Sequence, residues 1–110
     1  MDYQSTRDST QSTHFIEAVL QERASDCGLL LPDITNLSPI AWMPDFVEFA
    51  AQLLSPFTEP DLGKAETLSL VRRAFSFPVR WRELSKRRYQ LELFHGPTGS
   101  LKDFGAQFLA

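Results

Sequence analysis

A mixed α/β fold is what this sequence predicts, on three observations. Tyr89, Leu91 and Leu93 alternate with Gln90 and Glu92, the two-residue period of a half-buried strand. Behind them Leu101, Phe104 and Phe108 recur at helical spacing. Three earlier helical stripes, near residues 15–22, 45–54 and 68–75, are interleaved with short strand-like runs at 3–6 and 29–32. At this length one domain at most is expected, burying around two-thirds of its unfolded surface. An apolar fraction of 43% and nine Phe suffice for its core.

Residues 3–6 read as a short opening strand and 9–13 as a polar loop that offers Ser12 or Thr13 as a helix N-cap. The first helix then carries Phe15, Ala18, Val19 and Glu22 on one face, with Ile16 and Leu20 widening the apolar stripe. His14, in its first turn, reads as solvent-exposed, because no second His or Cys stands at metal spacing on that helix. Residues 24–28 break the helix. Leu29, Leu30 and Leu31 follow as a short buried strand ended by Pro32. Should Cys27 in that turn need a positive φ, its side chain costs on the order of 1 kcal/mol.

Residues 33–44 form a connector in which Trp42 and Met43 are expected to cover the core. Asp45 caps a second helix running to Leu54, with Phe46, Phe49, Ala50, Leu53 and Leu54 inward and Ser55 and Pro56 closing it. After a loop at 59–63, a third helix turns Leu68, Val71, Ala74 and Phe75 inward and stops before Phe77 and Pro78.

Charge excludes more than it suggests. The formal net charge is only −3, which marks neither a nucleic-acid protein nor one for a strongly anionic surface. Seven of the eleven basic residues fall between Arg72 and Arg88, with Trp81 and Tyr89 as stacking candidates. No nucleic-acid motif accompanies them, and a solvated or interdomain face explains the run as well, so no nucleic-acid partner is expected. No apolar run approaches the roughly 18 residues that span a bilayer, so no membrane partner is expected either. The single cysteine suits a reducing cytosol and a cytoplasmic location, and the N-terminus is not signal-like. The last helix meets Ala110 without a Gly, Asn or basic stop, and Phe104 and Phe108 want a partner surface. The expectation is a fragment of something longer.

The chemistry concentrates in the final strand, loop and helix. Gly96, Pro97, Thr98, Gly99 and Ser100 make a tight loop, and Ser100 with Asp103 fits the S-x-x-[DE] box that starts helices. With Ser100 as N-cap, Lys102 sits at the second helical position, beside unpaired N–H groups and the positive end of the dipole. A cation is poorly placed there. Either the side chain bends into solvent, or the position serves a nucleophilic amine. Bringing a lysine from about 10.4 toward neutrality takes roughly three pKa units, of which a helix dipole supplies about one. Burial or a bound cofactor must supply the rest.

Pro97-Thr-Gly-Ser-x-Lys-Asp-x-Gly105 resembles the lysine loop of the fold type II pyridoxal-phosphate enzymes. The wider strings Glu92-Leu-Phe-His-Gly-Pro-Thr98 and Lys102-Asp-Phe-Gly-Ala-x-Phe-Leu-Ala110 are similar to the threonine synthase family, in its longer bacterial and fungal form. Leu101 departs from the family, which more often has Phe there. Ser5-Thr-Arg7 and Asp26-x-Gly28-Leu29-x-x-Pro32 extend the resemblance toward the N-terminus, with Cys27 where a second glycine is usual.

That resemblance implies an N-terminal α+β domain over residues 1–88, and at 89–110 the first strand, loop and helix of the cofactor lobe. It implies pyridoxal 5'-phosphate held on Lys102 as a Schiff base, with Lys102 as the one catalytic and cofactor-binding residue carried over and no metal. It further implies O-phospho-L-homoserine as substrate, converted with water to L-threonine and phosphate. The family's phosphate loop and the group facing the pyridine nitrogen lie beyond residue 110, so the isolated chain is expected to be inactive.

No P-loop, dinucleotide-binding loop or nucleophile elbow competes with this reading. His95 stands alone, either orienting the loop or meeting the cofactor. Thr98, Ser100 and Asp103 read as loop and cap residues. Two rivals remain: an interaction module keeping a relic lysine loop, and another enzyme of the same fold type, such as a dehydratase. The latter shares Pro97-Thr-Gly-Ser-x-Lys but does not account for His95 and Gly96.

Overall fold

The structure, a computed structural model, describes Met1–Ala110. In chain order it holds β1 (Tyr3–Ser5), β2 (Ser12–Thr13), α1 (Phe15–Gln21), β3 (Leu30–Pro32), α2 (Phe46–Thr58), α3 (Lys64–Ala74), β4 (Arg80–Ser85), β5 (Arg88–Glu92) and α4 (Asp103–Leu109). Mixed α/β is therefore correct. The chain forms two compact units, Met1–Leu68 and Ser69–Ala110, which divide within α3.

In the first unit β1 is the central strand of an antiparallel sheet, with Tyr3 opposite Thr13 on one side and Pro32 on the other. Ser12 and Thr13 belong to this sheet rather than capping α1. His14 takes the N-cap position, exposed and without a side-chain cap bond. The expected buried leucine strand is in place but not buried, since Leu29 and Leu31 are exposed. A three-stranded sheet covered on one face leaves every second side chain outward. Ile16 and Leu20 also lie outside, so the stripe of α1 is narrower than its apolar residues suggest.

Asp45 caps α2 as expected, accepting the Glu48 N–H at 2.8 Å. The helix does not close at Ser55 and Pro56 but runs a turn further, and Glu59 N–H still donates to the Ser55 carbonyl at 3.1 Å. A proline withholds its own N–H and crowds the carbonyl four residues back, but this close to the C-terminus the bonds on either side keep the turn together. Ala50 and Ala51 are buried, while Phe46 and Leu53 are exposed. Trp42, expected over the core, is 79% exposed.

In the second unit, Val71 and Ala74 of α3 are buried as expected. Residues 80–85, read only as part of a basic run, form β4, which pairs with β5 as an antiparallel hairpin. Trp81 faces Leu91 and Glu83 faces Tyr89 across it, with Arg80 opposite Glu92 and Arg82 opposite Gln90. Arg87, in its two-residue turn, takes a left-handed φ of 64°. The expected strand at 89–93 is thus one arm of a hairpin that ends at Glu92, and it is not half-buried, since Tyr89 and Leu91 are both exposed; a boundary between residues 88 and 89 falls inside β5.

Phe104 and Phe108 do not wait for an external surface. Phe104 lies 5.7 Å from Phe75 and 5.0 Å from Phe77, and Phe108 stacks on Phe75 at 6.4 Å. Offset and edge-on pairs at these distances each add about 0.5–1.5 kcal/mol beyond burial. This cluster anchors α4, and with it the loop that leads into the helix.

Candidate functional site

The loop between β5 and α4 starts from a short hydrogen bond. His95 Nε2 meets Glu92 Oε2 at 2.7 Å, both side chains being about one-fifth exposed. That bond ties the loop's first residues to the end of β5. The ring of Phe94 lies 4.7 Å from that of His95.

The loop then turns sharply. Gly99 adopts φ 70°, a left-handed value that glycine enters without penalty, and its N–H donates to the Gly96 carbonyl at 3.1 Å. Ser100 follows with a tight turn. Its carbonyl accepts the Asp103 N–H at 3.0 Å, and its hydroxyl accepts the Lys102 N–H at 3.2 Å.

Regular helix begins at Asp103, so Lys102 occupies the N-cap position and not the second helical position. The reason is the i+3 bonding of Asp103 and Phe104, which winds the lead-in too tightly for an α-turn. Ser100 still satisfies an orphan N–H, as a cap would. The Lys102 side chain is exposed. Burial in apolar surroundings, one of the two possible sources of an activated amine, is absent around it in this chain.

Asp103 does more than cap a helix. Only 3% exposed, its carboxylate accepts the Thr98 N–H at 2.9 Å and the Thr98 hydroxyl at 2.6 Å. The loop itself wraps it. The Thr98 hydroxyl holds the carboxyl below its ordinary pKa, against the opposing pull of desolvation, and the N–H groups of Thr98, Ser100 and Gly99 add to that effect. The sequence carries a signal for this: a Thr five residues before an Asp that itself follows a Ser by three, across a Gly-rich turn.

The remaining sequence candidates are scattered. His14 lies 3.5 Å from Asp2 at the surface, and no group of His, Cys, Asp and Glu could hold a metal ion. A cleft of about 720 Å³ lies in the first unit and is lined by Ile40, Met43, Ala51, Ser55, Pro56 and Leu68 among others. It contains none of the loop residues. No helix is long and apolar enough to cross a membrane.

The loop thus ends at an exposed primary amine, its backbone tied down by a buried carboxylate. Comparison with known proteins bears on which family builds such a loop. A family model described as "Threonine synthase N terminus" matches residues 2–75. The chain belongs to the threonine synthase family. It is 35% identical to threonine synthase from Haemophilus influenzae over 100 residues, covering 87% of this chain and 23% of that protein.

Its fold is similar to the crystal structure of threonine synthase from Escherichia coli, with a TM-score of 0.87, 32% identity, and coverage of 99% of this chain and 27% of the other. The PLP-bound threonine synthase from Brucella melitensis gives 0.88 at 32% identity, covering 99% of this chain and 26% of that one. The chain thus spans about a quarter of the length of the relatives it matches and corresponds to the N-terminal portion of threonine synthase.

Proposed function

We propose that the whole protein to which these residues contribute is a pyridoxal-phosphate lyase. Its reaction turns O-phospho-L-homoserine and water into L-threonine and phosphate, and Lys102 is the residue that bonds the cofactor aldehyde. The observation that carries this reading is the placement of Lys102. Its amine is exposed, and its backbone N–H is held by Ser100 at the end of a loop pinned to Asp103, in a chain of the threonine synthase family.

Bound there, the cofactor would act as the sink for electrons released at the substrate carbons. This chain's own residues supply position. Glu92 and His95 fix the start of the loop, Gly99 turns it, and the phenylalanine cluster holds α4 behind it. The Lys102 Nζ would be the group that carries protons to and from the substrate carbons.

We take residues 1–88 as the family's N-terminal domain and 89–110 as the opening of the cofactor lobe, since the loop and α4 are where the lysine motif lies. We place the protein in the cytoplasm, where a lone exposed Cys27 stays reduced. The isolated 110 residues are inactive and hold pyridoxal phosphate weakly or not at all, because one exposed lysine offers nothing to grip the ring or its phosphate.

The test is borohydride trapping of pyridoxal phosphate on the full-length protein, followed by mapping of the labelled peptide. Label on Lys102, lost together with turnover in Lys102→Ala, is the expected result. Undiminished cofactor uptake and phosphohomoserine turnover in that variant would overturn the assignment.

A further inference from the structure

The lysine loop is tied from within by a carboxylate to which the proposed chemistry assigns no role. Asp103 reaches back five residues to take both the N–H and the hydroxyl of Thr98. An aspartate that only capped α4 would stay within one turn and remain wet. Here the side chain is almost fully enclosed, and the loop closes onto it so tightly that a Cβ at Gly96 would lie 2.6 Å from the Asp103 Cβ and 2.4 Å from its Oδ2. Nothing larger than glycine fits there without moving the carboxylate.

The bonds run in sequence toward the amine. Gly99 N–H closes on the Gly96 carbonyl, the Ser100 hydroxyl takes the Lys102 N–H, and the Ser100 carbonyl takes the Asp103 N–H. Lys102 therefore sits between Ser100, whose hydroxyl takes its N–H, and Asp103, whose carboxylate is bonded back to Thr98 in the loop. We propose that Asp103 is a positioning residue for Lys102: its buried carboxylate locks residues 96–100 and so fixes where the lysine backbone leaves the loop. The inference rests on the proposed role of Lys102. It concerns the residue's placement, so the two stand or fall on different measurements.

The first measurement uses the full-length protein. Amide hydrogen exchange is followed at Thr98 and Lys102, with Val71 of α3 as reference, in wild type, Asp103→Asn and Thr98→Val. Asn keeps one acceptor and loses the charge. Loss of a charged hydrogen bond speeds local opening by about tenfold or more. Faster exchange of that order at both Thr98 and Lys102, with Val71 unchanged, is expected in Asp103→Asn. Thr98→Val removes the tie from its other end and keeps the test alive if the aspartate variant does not fold. It should speed Lys102 exchange in the same direction.

The second measurement is trapping of pyridoxal phosphate in the full-length protein, scored at Lys102 against Lys64 and Lys86. A general loss of structure moves all three, whereas a loss of position lowers Lys102 alone. Exchange accelerated at Thr98 but unchanged at Lys102, with trapping unaltered, would show Asp103 to be a helix cap and sink the proposal. Absence of trapping at Lys102 in wild type, with the exchange pattern as expected, would instead remove the catalytic reading and leave the tie established.

Discussion

Thr58 and Thr67 meet hydroxyl to hydroxyl at 2.8 Å, and neither residue has any exposed surface. The Thr58 hydroxyl also donates to the Ser55 carbonyl at 3.1 Å. A hydroxyl has one proton, so with Thr58 donating to Ser55 the bond between the threonines must run from Thr67 to Thr58. The two residues are therefore unequal. Thr58→Val strands the Thr67 proton in the interior and leaves the Ser55 carbonyl with one bond fewer. Thr67→Val leaves the Thr58 donor bond intact. The first should cost about 2–3 kcal/mol and the second about 1, with the double variant well below their sum. Urea unfolding of the four proteins decides it, and equal single losses would contradict the assigned direction.

Cys27 has φ 63°, in the left-handed region where a Cβ is strained. Its N–H donates to the Ala24 carbonyl at 2.9 Å, so the turn is held and the strain is not relaxed. Cys27→Gly removes the strain but adds freedom to the unfolded chain. A net gain of about 0.5–1 kcal/mol is expected, read as a rise in urea midpoint with unchanged slope. A loss of stability would show that the thiol makes a contact worth more than the strain.

The next residue behaves in the opposite way. A Cβ on Gly28 would lie 2.2 Å from Ser5 Oγ and 2.9 Å from Asp26 Oδ1. That is the space used by the Ser5 hydroxyl to bond both Asp26 oxygens at 2.8 Å, while also receiving the Arg7 N–H at 3.1 Å. Ser5 is 5% exposed. Gly28→Ala must push this hydroxyl aside and should cost about 1–3 kcal/mol. Ser5→Ala in the same background restores part of the loss, because the obstructing oxygen is gone. Additive effects of the two changes would exclude the clash as the cause.

How far the sequence could be read depended on the range of the forces involved. The strand, loop and helix around Lys102 were legible because alternation, a Gly-Pro cluster and a cap box are local signals. Asp45 was legible for the same reason. β4 was not, because all its residues, Arg80 to Ser85, are exposed, and no buried face writes a pattern. Trp42 was misplaced since apolarity alone does not say which side of a connector faces the protein. The double role of Asp103 was only half legible: the spacing of Thr98, Ser100 and Asp103 stands in the sequence, but the burial comes from loop closure, a three-dimensional event that a cap motif does not describe.

The Asp103 tie also sets a pH dependence. Folding lowers this carboxyl's pKa below its ordinary value of about 3.9, chiefly through the Thr98 hydroxyl. A group depressed in the folded state stabilises fully above its unfolded value and loses that contribution as pH falls through the lower, folded one. The loop is therefore expected to be intact from neutrality down to about pH 4 and to loosen only below it. Asp8 and Asp33 are lowered in the same way by the hydroxyls of Thr10 and Thr35, so acid unfolding of the whole chain sums three contributions of one sign. Local probes separate them. The amide resonances of Thr98 and Gly99, followed by NMR against pH, should titrate with a midpoint below that of an unstructured aspartate. They should lose the titration altogether in Asp103→Asn. A midpoint at or above the ordinary aspartate value would mean that the loop does not grip the charged carboxylate, whatever its distances.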